Sequence, residues 1–280
     1  MASTTSTVAA ADGTPILVRR WAAAGEPWAD VVIVHGIAEH SGRYEHVGGW
    51  LSASGLEVTG FDLRGFGGSG GRRAWIERWH EYHDDLQERL GDVRLRAAGR
   101  PVALFGHSLG GLVAYGYAVA ERPRPLPDAL VVSAPAIDSN LPRWQRTMAR
   151  ILTRVAPTFR VKNAFDGAIL SRDPAVAERY LADPLNHHHT TARLGAEALA
   201  EQGRATAALA RLTIPTLVYH GGDDHLVPTA SSELFAGVPG VTRRTYPGLR
   251  HESHNEPEGE RVVADVVAWL RETLASPAIA

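Results

Sequence analysis

A serine in the pattern GxSxG becomes a nucleophile when a strand delivers it and a helix leads away. The sharp turn between them lifts the hydroxyl above the sheet and aims backbone N–H groups at the charge that develops during acyl transfer. The pattern occurs twice, as Gly106-His107-Ser108-Leu109-Gly110 and as Gly67-Gly68-Ser69-Gly70-Gly71. Only the first has the required flanks, with PVALF before Ser108 and the helix-forming stretch LGGLVAYGYAVAE after it. Ser69 sits in a glycine-rich run followed by RRAWIERWH and reads as a loop serine.

A serine hydroxyl is a weak nucleophile at neutral pH, so it needs a base held in one tautomer by an acid. The acid is expected before the base in chain order. Gly221-Gly222-Asp223-Asp224-His225-Leu226-Val227 follows the apolar run TLVYHG and places a carboxylate beyond a strand end. Asp224 is preferred over Asp223 because it fits GxxDxxV, the competing reading being a pair of turn-capping aspartates. After the next run, VTRRTYPG, comes Leu249-Arg250-His251-Glu252-Ser253-His254, and His251 is the expected base with His254 in reserve. The chain has 13 histidines, so position rather than residue type selects His251. The oxyanion would be held by the N–H of Leu109 and by that of Ile37, which follows VVIVHG.

The elements that must position these residues read as an α/β fold. The runs VVIVHG (31–36), LEVTGFD (56–62), PVALFG (101–106), ALVVSAP (129–135) and TLVYHG (216–221) look like parallel strands buried on both faces. Helical spacing over 44–54, 78–98, 109–121 and 261–274 supplies crossovers and a closing helix, and residues 7–21 around Ala11-Asp12-Gly13 read as a hairpin. The stretch from Ala136 to Leu212 is far longer than the dozen or so residues one crossover helix needs. It is expected to be an inserted helical cap (136–211) on a core formed by 1–135 and 212–280. Met148, Ile151, Leu152, Val155, Phe159, Val161, Phe165, Ile169 and Leu170 give this segment apolar surface, either for its own core or to face lipid.

Composition narrows the function further. The 280 residues carry 29 basic and 31 acidic side chains, so there is no field of one sign to favour nucleic acid or an anionic membrane. The absence of cysteine excludes disulfides, a thiolate nucleophile and cysteine-based metal sites. No cofactor and no metal are expected. His187-His188-His189 reads as a solvated cap loop, since three consecutive side chains converge poorly on one ion. His80, His83 and Asp84 share a helix face whose acidic neighbours make it look solvent-facing, and Trp75, Trp79 and Tyr82 read as core or cap contacts. The N-terminus does not look like a signal peptide, which makes a cytoplasmic location the default expectation.

With these residues in place, the chain resembles the monoacylglycerol lipase and lysophospholipase branch of the α/β-hydrolases. The resemblance is carried by HGIAEHSGRY (35–44), FDLRGFGGSGG (61–71), GHSLGG (106–111), SRDP (171–174), ADPL (182–185), GGDDHLVP (221–228) and YPGLRHESHNEP (246–257). It implies an α/β-hydrolase fold with a mobile cap or lid, transient contact of that cap with lipid surfaces, and release of a fatty acid from a glycerol monoester. It also implies that Glu39, Arg43 and His254 line a polar pocket for the glycerol head. Three positions depart from the branch: Ala38 replaces a usual glycine, Phe66 a usual histidine, and Arg250 a common aromatic. The alternatives left open are a lysophospholipase, a short-chain esterase or a prolyl peptidase with the same triad, and a ligand-binding protein that turns nothing over.

Overall fold

The computed structural model describes residues 2–138, 142–163 and 167–275. The hairpin β1 (Thr4–Ala9) and β2 (Pro15–Trp21) opens the chain, antiparallel and in register with Thr7 opposite Leu17. Strands and helices then alternate: β3 (Ala29–Val34), α1 (Glu45–Ala53), β4 (Leu56–Phe61), α2 (His80–Ala97), β5 (Val102–His107), α3 (Leu109–Ala118) and β6 (Ala129–Ser133). The long connection that follows holds α4 (Arg143–Val155), β7 (Arg160–Lys162), α5 (Pro174–Ala182), β8 (His189–Thr191) and α6 (Ala192–Ala207). The chain closes with β9 (Thr216–Gly221), β10 (Val241–Tyr246) and α7 (Gly259–Ala275).

Eight strands form one sheet in the order β1-β2-β4-β3-β5-β6-β9-β10, parallel from β4 onward. Apolar residues in its centre face two cores by turns. In β3, Val32 and Val34 pack with Leu86 of α2, Leu112 of α3 and Leu194 of α6, whereas Val31 and Ile33 pack with Val47 of α1 and Val263 of α7. This double burial explains why the central strands appear in the sequence as unbroken apolar runs. Because β3 is flanked by β4 on one side and β5 on the other, the sheet changes direction there. The crevice outside the carboxyl ends of β3 and β5 is where open α/β sheets bind ligands.

Helix α2 is not the solvent-facing helix that its acidic side chains suggest. It buries Tyr82, His83, Asp85 and Arg89, and Arg64 takes Asp85 in two hydrogen bonds of 2.7 and 2.6 Å. Trp79 and Tyr82 are core residues.

The β6–β9 connection is stapled to three loops of the sheet: Thr191 Oγ1 donates to Ala74 O (2.6 Å), His187 N to Ala38 O (3.2 Å), and Glu252 N to Leu170 O (2.8 Å). Its apolar residues divide between buried and exposed positions. Leu170 is buried, while Trp144, Met148, Ile151 and Val155 form one exposed face of α4, continued by Phe159 and Val161. Phe165 lies outside the described residues. No helix among the described residues is long and apolar enough to cross a membrane.

Candidate active site

Ser108 stands between β5 and α3 with φ 52° and ψ −116°, a backbone conformation that an L-residue holds only at a cost of about 1–3 kcal/mol. Close packing of glycines makes the turn possible. A Cβ on Gly110 would lie 2.2 Å from Val34 O, and one on Gly106 would lie 2.4 Å from Gly110 O. The carbonyl of Ser108 accepts from Leu112 N and Ala136 N, which anchors the turn to the helix and to the start of the β6–β9 connection. Ser69 is engaged differently: its hydroxyl donates to Asp62 O (2.6 Å) and accepts from Leu17 N (2.9 Å), fastening a glycine-rich loop to β2.

The loops after β9 and β10 bring Asp224 and His251 together. His251 Nδ1 lies 2.7 Å from Asp224 Oδ2, both side chains are buried, and Oδ1 accepts from Leu226 N and Val227 N. Burial alone would raise the Asp224 carboxyl. The adjacent His251, the His220 hydrogen bond and the Val227 N–H outweigh it and hold the group well below the usual carboxylate range. The neighbouring Asp223 is exposed and meets only the exposed His225 at 3.3 Å. One residue was missed in the sequence: His220, fully buried in β9, sets its Nε2 3.0 Å from Asp224 Oδ2 and 3.0 Å from Val227 O. Both are acceptors, so Nε2 carries the proton and a second imidazole fixes the aspartate.

Ser108, His251, Gly36, Ile37 and Glu39 share the wall of a cavity of about 10 Å³ with Leu170, Tyr180 and Leu226. Among the described residues, neither Ile37 N nor Leu109 N has a hydrogen-bond acceptor. The following residue, Ala38, is fully buried at φ 63°, left-handed backbone that glycine would adopt without strain. Two polar groups from the β6–β9 connection, Tyr180 Oη (3.4 Å) and His187 N, donate to its carbonyl.

Glu39, Arg43 and His254 do not converge on one pocket. Glu39 Oε1 accepts from Gly36 N (2.5 Å) and Tyr44 Oη (2.8 Å), and Oε2 accepts from Arg43 Nη1 (2.5 Å). Arg43 also grips Glu252 through two bonds of 2.6 and 2.7 Å, and its guanidinium lies 5.0 Å from the centre of the Tyr180 ring. Burial opposes both charges of that pair. Glu252 nevertheless holds Arg43 protonated well above its ordinary value, and Arg43 holds Glu252 ionised. Arg43 further borders a separate cleft of about 390 Å³ with His46, Arg179 and Asp183. His254 is buried behind the site, stacked on Tyr44 at 5.2 Å and edge-on to His107 at 4.8 Å, and burial pushes it well below its ordinary pKa.

Of the departures noted in the sequence, Phe66 packs its ring against His35 and His187. Arg250 donates to Ala168 O and Ser171 O, tying the β6–β9 connection to the loop that carries His251. Among the described residues, no three His, Asp or Glu side chains converge as a metal-ligand set.

The Hydrolase_4 family, described as serine aminopeptidase, S33, matches residues 25–258. A monoacylglycerol lipase of Mycolicibacterium smegmatis is 36% identical over 92% of this chain and 93% of its own length. The human monoglyceride lipase is 30% identical over 95% of this chain and 90% of its own. Among solved structures, a monoacylglycerol lipase of Paleococcus ferrophilus superposes with a TM-score of 0.80 at 31% identity, covering 92% of this chain and 99% of that one.

Proposed function

This chain belongs to the Hydrolase_4 family of α/β-hydrolases, within its monoacylglycerol lipase branch, and on that premise we propose that it releases a fatty acid from monoacylglycerols through an acyl-enzyme. The observation that carries the reading is the 2.7 Å Asp224–His251 contact at the cavity that strained Ser108 also lines. In this mechanism Ser108 Oγ attacks the ester carbonyl while His251 takes its proton. Asp224 is the positioning acid that fixes the tautomer and stabilises the imidazolium. The tetrahedral oxyanion is held by the N–H groups of Ile37 and Leu109. His251 then protonates the departing glycerol oxygen, and water activated by the same histidine releases the fatty acid.

A cavity of about 10 Å³ has room for little more than one water-sized molecule, so an acyl ester needs more space at Ser108 than its wall, which includes Leu170 and Tyr180 of the β6–β9 connection, leaves there. We therefore assign residues 136–211 as a lid. The exposed apolar face of α4 suits a peripheral encounter with lipid. Glu39 and Arg43 we assign to bracing the Gly36–Ala38 loop: every oxygen of Glu39 is engaged inside the protein, and Arg43 is spent on two carboxylates.

The test is a fluorophosphonate probe followed by relative rates on monoolein, lysophosphatidylcholine, p-nitrophenyl butyrate and a prolyl amide. Labelling at Ser108 with monoolein as the best substrate is expected. No labelling would indicate a binding protein, and a preference for the prolyl amide or lysophosphatidylcholine would move the chain to peptidase or lysophospholipase chemistry.

A further inference from the structure

A second cavity, of about 250 Å³, opens between the loop at Arg73 and the β7–β8 hairpin of the β6–β9 connection. Its wall concentrates positive charge and potential donors: Arg73, Arg160 and the consecutive His187, His188 and His189 all line it, and among the described residues no carboxylate does. Arg73 is already oriented, because its Nη1 donates to Gly67 O (2.9 Å) and Ser69 O (3.2 Å). Arg160, at the start of β7, has no ion pair or hydrogen bond from its side chain among the described residues. His187 Nε2 is buried without a partner, as is Asn186 Oδ1 on the same wall. A concave surface with two guanidiniums, three imidazoles and no compensating acid among the described residues focuses a field that attracts anions, and guanidiniums recognise phosphate oxygens by paired hydrogen bonds.

We propose that this cavity is a binding site for a phosphate group, recognised by Arg73 and Arg160 with the His187–His189 imidazoles completing its wall. Burial and the neighbouring Arg73 push His187 below its ordinary pKa, the state an anion would reverse. The site is coupled to the chemistry by direct contacts. His187 N donates to Ala38 O in the loop that carries Ile37, and the His188 ring packs edge-on at 5.7 Å against Tyr180, which lines the cavity at Ser108. An occupant therefore sits one hydrogen bond away from the oxyanion loop. The binding claim itself is independent of the triad and of the proposed substrate.

Titration calorimetry of the full chain with inorganic phosphate in chloride buffer tests it. Saturable one-to-one binding is expected, weakened roughly ten- to a hundredfold by Arg160→Gln, since one charge-assisted bond is lost. Arg73 also supports the glycine-rich loop, so Arg160, which lies on an exposed hairpin, is the primary variant, and Arg73→Lys adds a charge-conserving one. A parallel arm measures binding to neutral vesicles with and without ether-linked lysophosphatidate, which the enzyme cannot hydrolyse at an ester. Phosphate binding alone identifies a soluble phosphate as the occupant. Arg160-dependent binding only to the doped vesicles identifies a lipid headgroup. Absence of saturable binding in both arms, or equal affinity in wild type and Arg160→Gln, overturns the site.

Discussion

Two imidazoles meet Asp224 Oδ2, at 2.7 Å from His251 and 3.0 Å from His220, although acyl transfer needs only the first. Asp224→Asn should lower kcat by about a thousandfold or more, because an amide no longer enforces the tautomer in which His251 Nε2 is free to accept a proton. Asp223→Asn, changing an exposed side chain, should stay within about twofold. The reverse ranking would put the acid on the wrong neighbour. Ser108→Ala should remove at least about a thousandfold of activity with no change in the folded state's circular dichroism, and a probe adduct at Ser69 would overturn the nucleophile assignment. The candidates Ser108 and Asp224 could be picked out from sequence because each follows an apolar run that ends in a turn, and His251 because it comes just after the turn that closes VTRRTYPG. His220 could not. It sits inside such a run, where a histidine has no spacing that distinguishes a hydrogen-bonding partner from a core residue.

At the scale of elements, the loop after β3 and the loop after β10 are held at a fixed separation by Glu39, Arg43 and Glu252. Gly36 N donates to Glu39, Glu39 accepts from Arg43, and Arg43 grips Glu252, the residue next to His251. Cutting this chain should therefore disturb the proposed oxyanion loop and the proposed base together, whatever alcohol leaves. Glu39→Gln and Glu252→Gln are each expected to lower kcat/KM by roughly ten- to a hundredfold. The loss should be equal on a monoacylglycerol and on a p-nitrophenyl ester of the same chain length. A loss confined to the monoacylglycerol would instead put Glu39 on the glycerol hydroxyls, since polar groups built to pair with a hydroxyl discriminate only when it is present. Glu39 and Arg43 stand four residues apart across a loop and a 3-10 turn rather than along an α-helix, so the spacing alone does not reveal their pairing. Glu252 is 209 residues from Arg43, and nothing local announces that contact.

Over the whole molecule, the sheet was readable because its central strands are buried on both faces, and the β6–β9 connection because of its length. What covers the amphipathic face of α4 was not readable, since periodicity shows that a helix has an apolar side and says nothing of its partner. The polar content of the core was equally hidden, and it has a measurable consequence. Burial pushes His83 and His107 down to about 3, and pushes His35, His46, His187 and His254 below the ordinary 6.5. In the unfolded chain all six take up a proton near 6.5, so below that pH the unfolded state binds more protons than the folded one. Stability must then rise with pH in this window and fall on acidification. For His83 and His107 the loss begins near pH 6.5 and continues to about 3. Each histidine held this far down contributes about 1.4 kcal/mol per pH unit once the difference is fully developed, so His83 and His107 together approach about 3 kcal/mol per unit, a sizeable share of the total stability of an ordinary domain. The depressed carboxyls of Asp224 and Glu252 act in the same direction at lower pH, while Asp30, Asp85 and Glu201, raised by burial, offset part of the loss. Urea midpoints measured from pH 7.5 to 5 should therefore drop steeply below about pH 6. His83→Gln should flatten that slope by up to about 1.4 kcal/mol per pH unit, because it removes one of the two most strongly shifted sites without touching the cavity at Ser108. A midpoint constant across the range would show that these imidazoles are protonated in the folded protein.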